Sequence, residues 1–202
     1  AEDVDYVTFS GPGEPTLAAN LGEAIDLVKG WPALRGVPVA VLTNSTLLSR
    51  PDVRRELAHA DLVAAKLDAP DEALYRAINR PMVSLTWAGL MEGVRAFRDE
   101  FQGRLALQMM FIRANRKWVA EMVELAHELK PDHVQLNTPL RSSPTPPLGE
   151  AAMDEIEEVF AGLPVINVHR APIPTVEVLD RTELRWRRPE EGHPKFVDKE
   201  VN

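Results

Sequence analysis

The sequence predicts an α/β protein with a parallel sheet covered by helices. Short β-rich runs alternate with helical patterns along the chain, and strand–helix alternation implies a parallel sheet. The helical segments carry apolar residues at helical spacing. The ends of the β-rich runs are polar, as expected where a sheet of this kind meets a ligand.

The elements follow in order. Val4–Ser10 is the first β-rich run. A helix over 17–29 carries Leu17, Leu21, Ile25 and Val28 on one face. Val37–Thr43 is the second run, and Ser49-Arg50-Pro51-Asp52 has the form of a capping box opening a short helix. Asp61–Leu67 is the third run, followed by helices near 71–78 and 85–101, the second striped by Leu90, Val94, Phe97 and Phe101. Leu105–Ile112 leads into a helix marked by Trp118, Met122, Leu125 and Leu129. His133–Asn137 is the fifth run; a proline-rich loop over 138–148, a helix over 149–161 and the run Pro164–Val168 complete the pattern. The domain is expected over 1–175, with a polar tail over 176–202. Six strands with this alternation fit either an open doubly wound sheet or a closed or partly closed barrel.

Composition narrows the function. The chain has 202 residues, 45% hydrophobic and 27% charged, which suits one globular domain. No apolar run reaches the roughly 18–20 residues of a membrane helix, so no membrane partner is expected. The acidic start Ala1-Glu2-Asp3 has no signal-peptide pattern, and a cytoplasmic location is expected. The net charge of −8 excludes polyanion binding through bulk charge. Arg181, Arg185, Arg187 and Arg188 form the one local basic patch, read first as surface charge. The helix at 150–158 carries acids without bases and reads as a solvated face. The chain has no cysteine, which removes disulfides, thiolate nucleophiles and cysteine-held metals, and its five histidines lack a zinc spacing.

Polar residues cluster at strand ends. Thr8 and Ser10 share a face, as do Lys66 and Asp68, Gln135 and Asn137, and Asn167 and His169. Asn44 follows the second run and Gln108 interrupts the fourth. Turn chemistry accounts for Asn44 and Asn137. It accounts poorly for Lys66, Gln108 and Gln135, which precede the turns and would be costly to bury without partners. A polar ligand in the strand-end mouth explains them.

The loop Thr8-Phe9-Ser10-Gly11-Pro12-Gly13-Glu14-Pro15-Thr16-Leu17 ends the first strand in small residues and enters a helix. Its carbonyls and carboxylate suit an ammonium group. It is not a dinucleotide fingerprint, because Thr16 stands where the third glycine belongs. Read with VLTNSTLL (41–48), KLDAPDEALYRAINRP (66–81) and VQLNTP (134–139), in that order, it resembles the radical S-adenosylmethionine (SAM) superfamily. The branch it resembles is the Fe–S oxidoreductases that include the wyosine-type tRNA-modifying enzymes. The similarity runs from about residue 3 to about residue 170.

That resemblance implies a partial (β/α)6 TIM-like barrel that lacks its first strand. It implies an enzyme in which a [4Fe–4S] cluster reduces SAM and a 5′-deoxyadenosyl radical abstracts hydrogen from substrate. An electron-donor protein and a tRNA substrate follow as candidate partners. Gly13, Glu14 and Pro15 would hold the methionine amino group, Asp68 would meet the ribose hydroxyls, and Asn44, Gln108 and Asn137 would line the mouth. Asp68 has a competing role as a helix N-cap, with Pro70 in the first turn. Lys66 pairs with Asp68 or reaches substrate; Asn79-Arg80-Pro81 matches the family without an assigned role; His169 reads as a strand-end histidine.

The chain departs from the family at its defining feature, the C-x-x-x-C-x-x-C loop after the first barrel strand. The start at Ala1, without Met, leads to the expectation that this segment lies upstream, and the chain as it stands should be inactive. Two alternatives remain: a cluster-less barrel acting as a binding module, and a barrel enzyme using Lys66 as a Schiff-base amine.

Overall fold

This computed structural model describes residues 4–11, 13–81, 84–140 and 143–171. The tail over 176–202, including Arg181–Arg188, lies outside the described residues.

Six strands are described: β1 (Val7–Phe9), β2 (Val39–Thr43), β3 (Leu62–Lys66), β4 (Arg104–Met110), β5 (His133–Asn137) and β6 (Val165–Asn167). Six described helices lie between them, α3 and α4 both in the β3–β4 connection: α1 (Leu21–Gly30), α2 (Pro51–Leu57), α3 (Glu72–Asn79), α4 (Trp87–Glu100), α5 (Val119–Leu129) and α6 (Glu150–Val159). All strand pairs are parallel, and their spatial order is their chain order, β1-β2-β3-β4-β5-β6. This order separates the two architectures the sequence left open. A doubly wound sheet reverses its strand order at a switch point. Here no reversal occurs, and crossovers of one hand place every helix on one face. The result is the arrangement of a partial (β/α)6-type barrel.

The core reports the same asymmetry. On one face, Val39, Val41, Val63, Ala65, Leu105 and Leu107 join the buried residues of the helices in one large cluster. On the other, Ala40, Leu62, Ala64 and Ala106 form a small cluster against which, among the described residues, Tyr6 and Leu42 pack. Register fixes this split, because Ala40 pairs with Leu62 and Ala64 with Ala106, and side chains alternate faces along each strand. At the N-terminal strand ends the Arg104 guanidinium lies over the Tyr6 ring, 5.7 Å from its centroid, and donates to its hydroxyl. That pair spans the small face from β4 to the residue before β1.

Several element boundaries shift from the sequence expectation. The predicted helix over 17–29 begins at Leu21, after a 3-10 turn over Pro15–Leu17, and Leu17 is 73% exposed rather than part of the apolar stripe. The α2 start is not a capping box. Arg50 is the N-cap and makes no side-chain cap bond, Pro51 opens the helix, and Arg50 pairs with Asp52. Proline supplies the helical φ there, where its missing N–H is not needed. The acidic face of α6 is partly partnered: Glu155 pairs with Arg116, and Asp154 and Glu157 with Arg170.

Two posts hold the layers together. Asp61 precedes β3 and accepts from Val39 N (2.7 Å) and Lys29 Nζ (2.8 Å). Burial alone would raise its carboxyl, but the Lys29 ammonium and the Val39 N–H outweigh that and hold it below the usual range. Gly93 in α4 lies against the loop before α2, where an added Cβ would sit 2.4 Å from Ser49 N and 2.7 Å from Leu48 C. Backbone cannot swing aside as a side chain can. Gly93→Ala should therefore lower stability by about 1–3 kcal/mol, read as a lower urea midpoint at unchanged slope.

Candidate functional site

The loop after β1 is built around the Glu14 carboxylate. Oε1 accepts from Thr16 N (3.2 Å), Thr16 Oγ1 (2.7 Å) and Thr43 Oγ1 (2.6 Å); Oε2 accepts from Asn44 N (2.7 Å). Glu14 thus caps the 3-10 turn at Pro15–Leu17 and ties the β1 loop to the end of β2. A carboxylate offers about four acceptor positions. Among the described residues three donors saturate Oε1 and one meets Oε2, which leaves Oε2 one lone pair for a further donor. An added Cβ at Gly13 would meet nothing within 4 Å, and neither Gly11 nor Gly13 has a positive φ. Neither crowding nor backbone conformation requires glycine at 13. Its absent side chain leaves open an approach to the loop, and an open cleft of about 350 Å³ lies there, lined by Ser10, Gly11, Gly13, Glu14, Pro15 and Ala24 among others.

The end of β2 is strained and braced. Ser45 is fully buried at φ +70°, a left-handed conformation unusual for a residue with a Cβ. Its hydroxyl donates to Lys66 O (2.9 Å), and its N–H to Thr43 Oγ1 (3.2 Å). Asn44 is exposed, and its Oδ1 accepts from Thr46 N and Thr46 Oγ1.

A second carboxylate anchors the middle of the mouth. The Asp68 side chain is 0% exposed. Oδ1 accepts from Met110 N (2.9 Å); Oδ2 accepts from Asn79 Nδ2 (2.8 Å) and pairs with Lys66 Nζ. Asn115, itself buried, donates to Asp68 O (2.9 Å) and Met110 O (2.8 Å). The expectation that Asp68 caps a helix is corrected. The α3 cap is Asp71, which accepts from Leu74 N (2.8 Å), because α3 begins only after Pro70. Asn79, whose segment the sequence matched without a role, is a support for Asp68. Its Oδ1 and the buried Tyr75 hydroxyl, one turn earlier on α3, have no hydrogen-bond partner among the described residues.

A row of polar side chains completes the face opposite the helices. Lys66, Gln108 and Gln135 are successive register partners across β3, β4 and β5, and Met110 and Asn137 pair two residues further toward the mouth, on the same face. Gln108 Nε2 donates to Gln135 Oε1 (3.2 Å), and Gln135 Nε2 lies 3.1 Å from His133 Nε2. Burial first, then the Arg104 cation, lowers the His133 pKa from its ordinary value of 6.5, against the opposing pull of Asp132.

The structure therefore groups the expected residues in sets. Gly13, Glu14, Pro15 and Asn44 meet at β1–β2; Asp68 and Lys66 meet at β3; Gln108 and Asn137 line β4–β5. Neighbouring strands lie about 4.8 Å apart, so β1 to β5 is about 19 Å measured along the sheet. Asn167 does not join them. Its register partner is Leu136 of the helix-facing layer, and it is buried, donating to Glu157 Oε2 (2.8 Å). His169 lies within 3.3 Å of Leu148 O, away from this row. Thr16, Thr43, Asn79 and Asn115 were missed as functional supports; Thr43 had a signal in being the polar last residue of a β-rich run, and Asn115 had none.

Comparison with known proteins places this geometry in context. No family model matches the chain. It is similar to a UPF0026 protein of Methanocaldococcus jannaschii, 38% identical over 143 residues, which are 69% of this chain and 43% of the relative. A UPF0026 protein of Synechocystis is 41% identical over 145 residues, 70% of this chain and 53% of the relative. The chain thus spans about half the length of these curated relatives. Among solved structures, a domain of pyruvate-formate lyase-activating enzyme from Bacteroides vulgatus superposes with a TM-score of 0.60 at 20% identity, covering 80% of this chain and 97% of that one. Streptococcus suis SuiB bound to S-adenosylmethionine superposes at 0.56 and 16% identity, covering 80% of this chain and 39% of that one. The fold resembles that of radical SAM enzymes. At these identities the likeness shows the fold alone.

Other expectations can be placed. No described helix is long and apolar enough to cross a membrane. Among the described residues no group of three or more His, Cys, Asp or Glu side chains could hold a metal ion. Lys66 does not stand as a free amine, since its Nζ is committed to Asp68.

Two outcomes test this geometry. Asp68→Ala removes the acceptor from Met110 N, Asn79 and Lys66 at once and should lower stability by about 3 kcal/mol, against about 1 kcal/mol for Asn79→Ala, by urea denaturation. For His133 the unfolded chain binds a proton at higher pH than the folded one. Stability should fall as pH drops below about 6.5, and remain unaffected by this group above it. His133→Gln should flatten that part of the pH–stability curve.

Proposed function

We propose that this chain is a cofactor-binding barrel module of radical SAM type, which takes the amino-acid end of S-adenosylmethionine at the Gly13-Glu14-Pro15 loop. The single observation behind this reading is the Glu14 carboxylate: four donors among the described residues fix it, only one of them meets Oε2, and Glu14 is among the residues that line an open cleft. A fixed acceptor binds an ammonium with little reorganisation, because its orientation is set before the ligand arrives. Asn44 lies at the same corner. Asp68 acts mainly as a post: a ribose hydroxyl reaching it would have to displace Lys66 or Asn79. Gln108 and Asn137 line the far side.

A thiolate-held [4Fe–4S] cluster does not fit the residues present, because the chain has no cysteine. As it stands, the chain is read as a module that binds and orients. What these residues do is bind the cofactor and order the mouth; the difficult chemistry of such enzymes belongs to their cofactors.

A second reading is a radical enzyme in which cluster ligands come from sequence outside this chain. The observation in its favour is the length of the relatives, about twice that of the matched segment. A tRNA substrate, an electron-donor protein and a cytoplasmic location belong to this second reading.

Calorimetric titration of the chain with S-adenosylmethionine tests the proposal. Saturable binding is expected, with Glu14→Gln weakening it about tenfold, the loss of one charge-assisted hydrogen bond. A chain that keeps its fold and takes up no S-adenosylmethionine at millimolar concentration would overturn it.

A further inference from the structure

The Gln108–Gln135–His133 chain runs across β4 and β5, away from the Glu14 loop, and its hydrogen bonds hold an otherwise unused amide in one orientation. His133 Nε2 faces an amide nitrogen, so it must be the acceptor, with the ring proton on Nδ1. Gln135 therefore gives an N–H to His133, and its Oε1 takes an N–H of Gln108. The remaining N–H and the Oε1 of Gln108 make no other hydrogen bond among the described residues, although the side chain is half-buried. Below it in register lie Ala64 and Ala106, the small residues of the same face. Beside it stands Lys66, held by Asp68.

From this geometry we infer that Gln108 is a specificity-determining residue for a ligand presenting a planar amide-type edge, an acceptor and an N–H side by side, as in a nucleobase or a carboxamide. A glutamine amide offers the complementary pair and can bind such an edge through two hydrogen bonds. Gln135 and His133 are positioning residues: they stop the Gln108 amide from rotating to the opposite, mismatched orientation. Discrimination follows, because a ligand lacking the N–H leaves Gln108 Oε1 unpaired in a half-buried site. The inference rests on the reading of this mouth as a ligand site, and it stands apart from whether S-adenosylmethionine binds at Glu14.

Titration of the isotope-labelled chain with uracil and with nicotinamide, observed at the side-chain amide resonances of Gln108 and Gln135, tests it; Gln108→Glu assigns the first pair. The expected result is a saturable shift of the Gln108 resonances with at least one probe, and none with 1,3-dimethyluracil, whose N–H groups are blocked. Stronger binding of uracil identifies a nucleobase edge, and stronger binding of nicotinamide a carboxamide. Gln108→Glu, which keeps the shape but has no N–H to give, should weaken binding about tenfold. Gln135→Leu should weaken it by a smaller factor. Unshifted Gln108 resonances with both probes, or dimethyluracil binding as well as uracil, would overturn the inference even in a chain that binds S-adenosylmethionine. Failure of S-adenosylmethionine alone would overturn only the cofactor reading.

Discussion

A parallel sheet whose strands lie in chain order must return every crossover on the same side, and that constraint organises this protein. Right-handed connections from β1 to β6 put all six helices against one face of the sheet. The large core forms there. The opposite face receives none of the described helices, so its residues answer to other demands. Toward the N-terminal ends they are small or apolar and are crossed by the Tyr6–Arg104 pair. Toward the C-terminal ends they become Lys66, Gln108, Gln135 and Asn137. One handedness rule thus separates a face that stabilises from a face with a polar, strand-end mouth.

Two carboxylates turn that free face into an ordered mouth. Glu14 collects donors from its own loop and from β2, and Asp68 collects them from β3, α3 and β4. Each replaces water with fixed N–H and O–H groups, which is how a buried or half-buried carboxylate is tolerated. The two differ in what they leave over. Glu14 retains an acceptor position beside an open cleft. Asp68 is enclosed, and the group it presents outward is Lys66. The same chemistry yields a binding position in one place and a rigid support in the other.

The sheet was legible in the sequence because its signals are local. β-rich runs, helical stripes and polar strand ends each need only a few neighbouring residues, and all six strands stand within a few residues of their predicted places. The choice between an open sheet and a barrel-type order was not legible, since strand order is a long-range property that neither pattern encodes. The same limit explains the errors at single residues. Asp68 looked like a helix cap because cap chemistry and buried-acceptor chemistry use the same side chain; only Asn79 and Met110, 11 and 42 residues away, decide between them. Asn167 shares a polar strand-end position with the residues of the mouth, but its register with Leu136 turns it to the helices. Glu14 was singled out by its motif, while Thr16, which helps hold it in place, stood within a quoted segment and carried no mark of its own, and Thr43 was marked only as the polar last residue of a β-rich run.

The absence of native cysteine makes the central claim, that a cofactor-sized ligand occupies the mouth at the β1–β2 corner, open to a direct measurement. Single substitutions Asn44→Cys, Asn137→Cys and Leu107→Cys place one thiol each at the corner, across the mouth and in the helix-facing core. Labelling rates are then compared with and without S-adenosylmethionine. The account predicts rapid labelling at positions 44 and 137, slow labelling at 107, and strong protection by S-adenosylmethionine at position 44. Equal labelling at position 44 with and without saturating S-adenosylmethionine would contradict it.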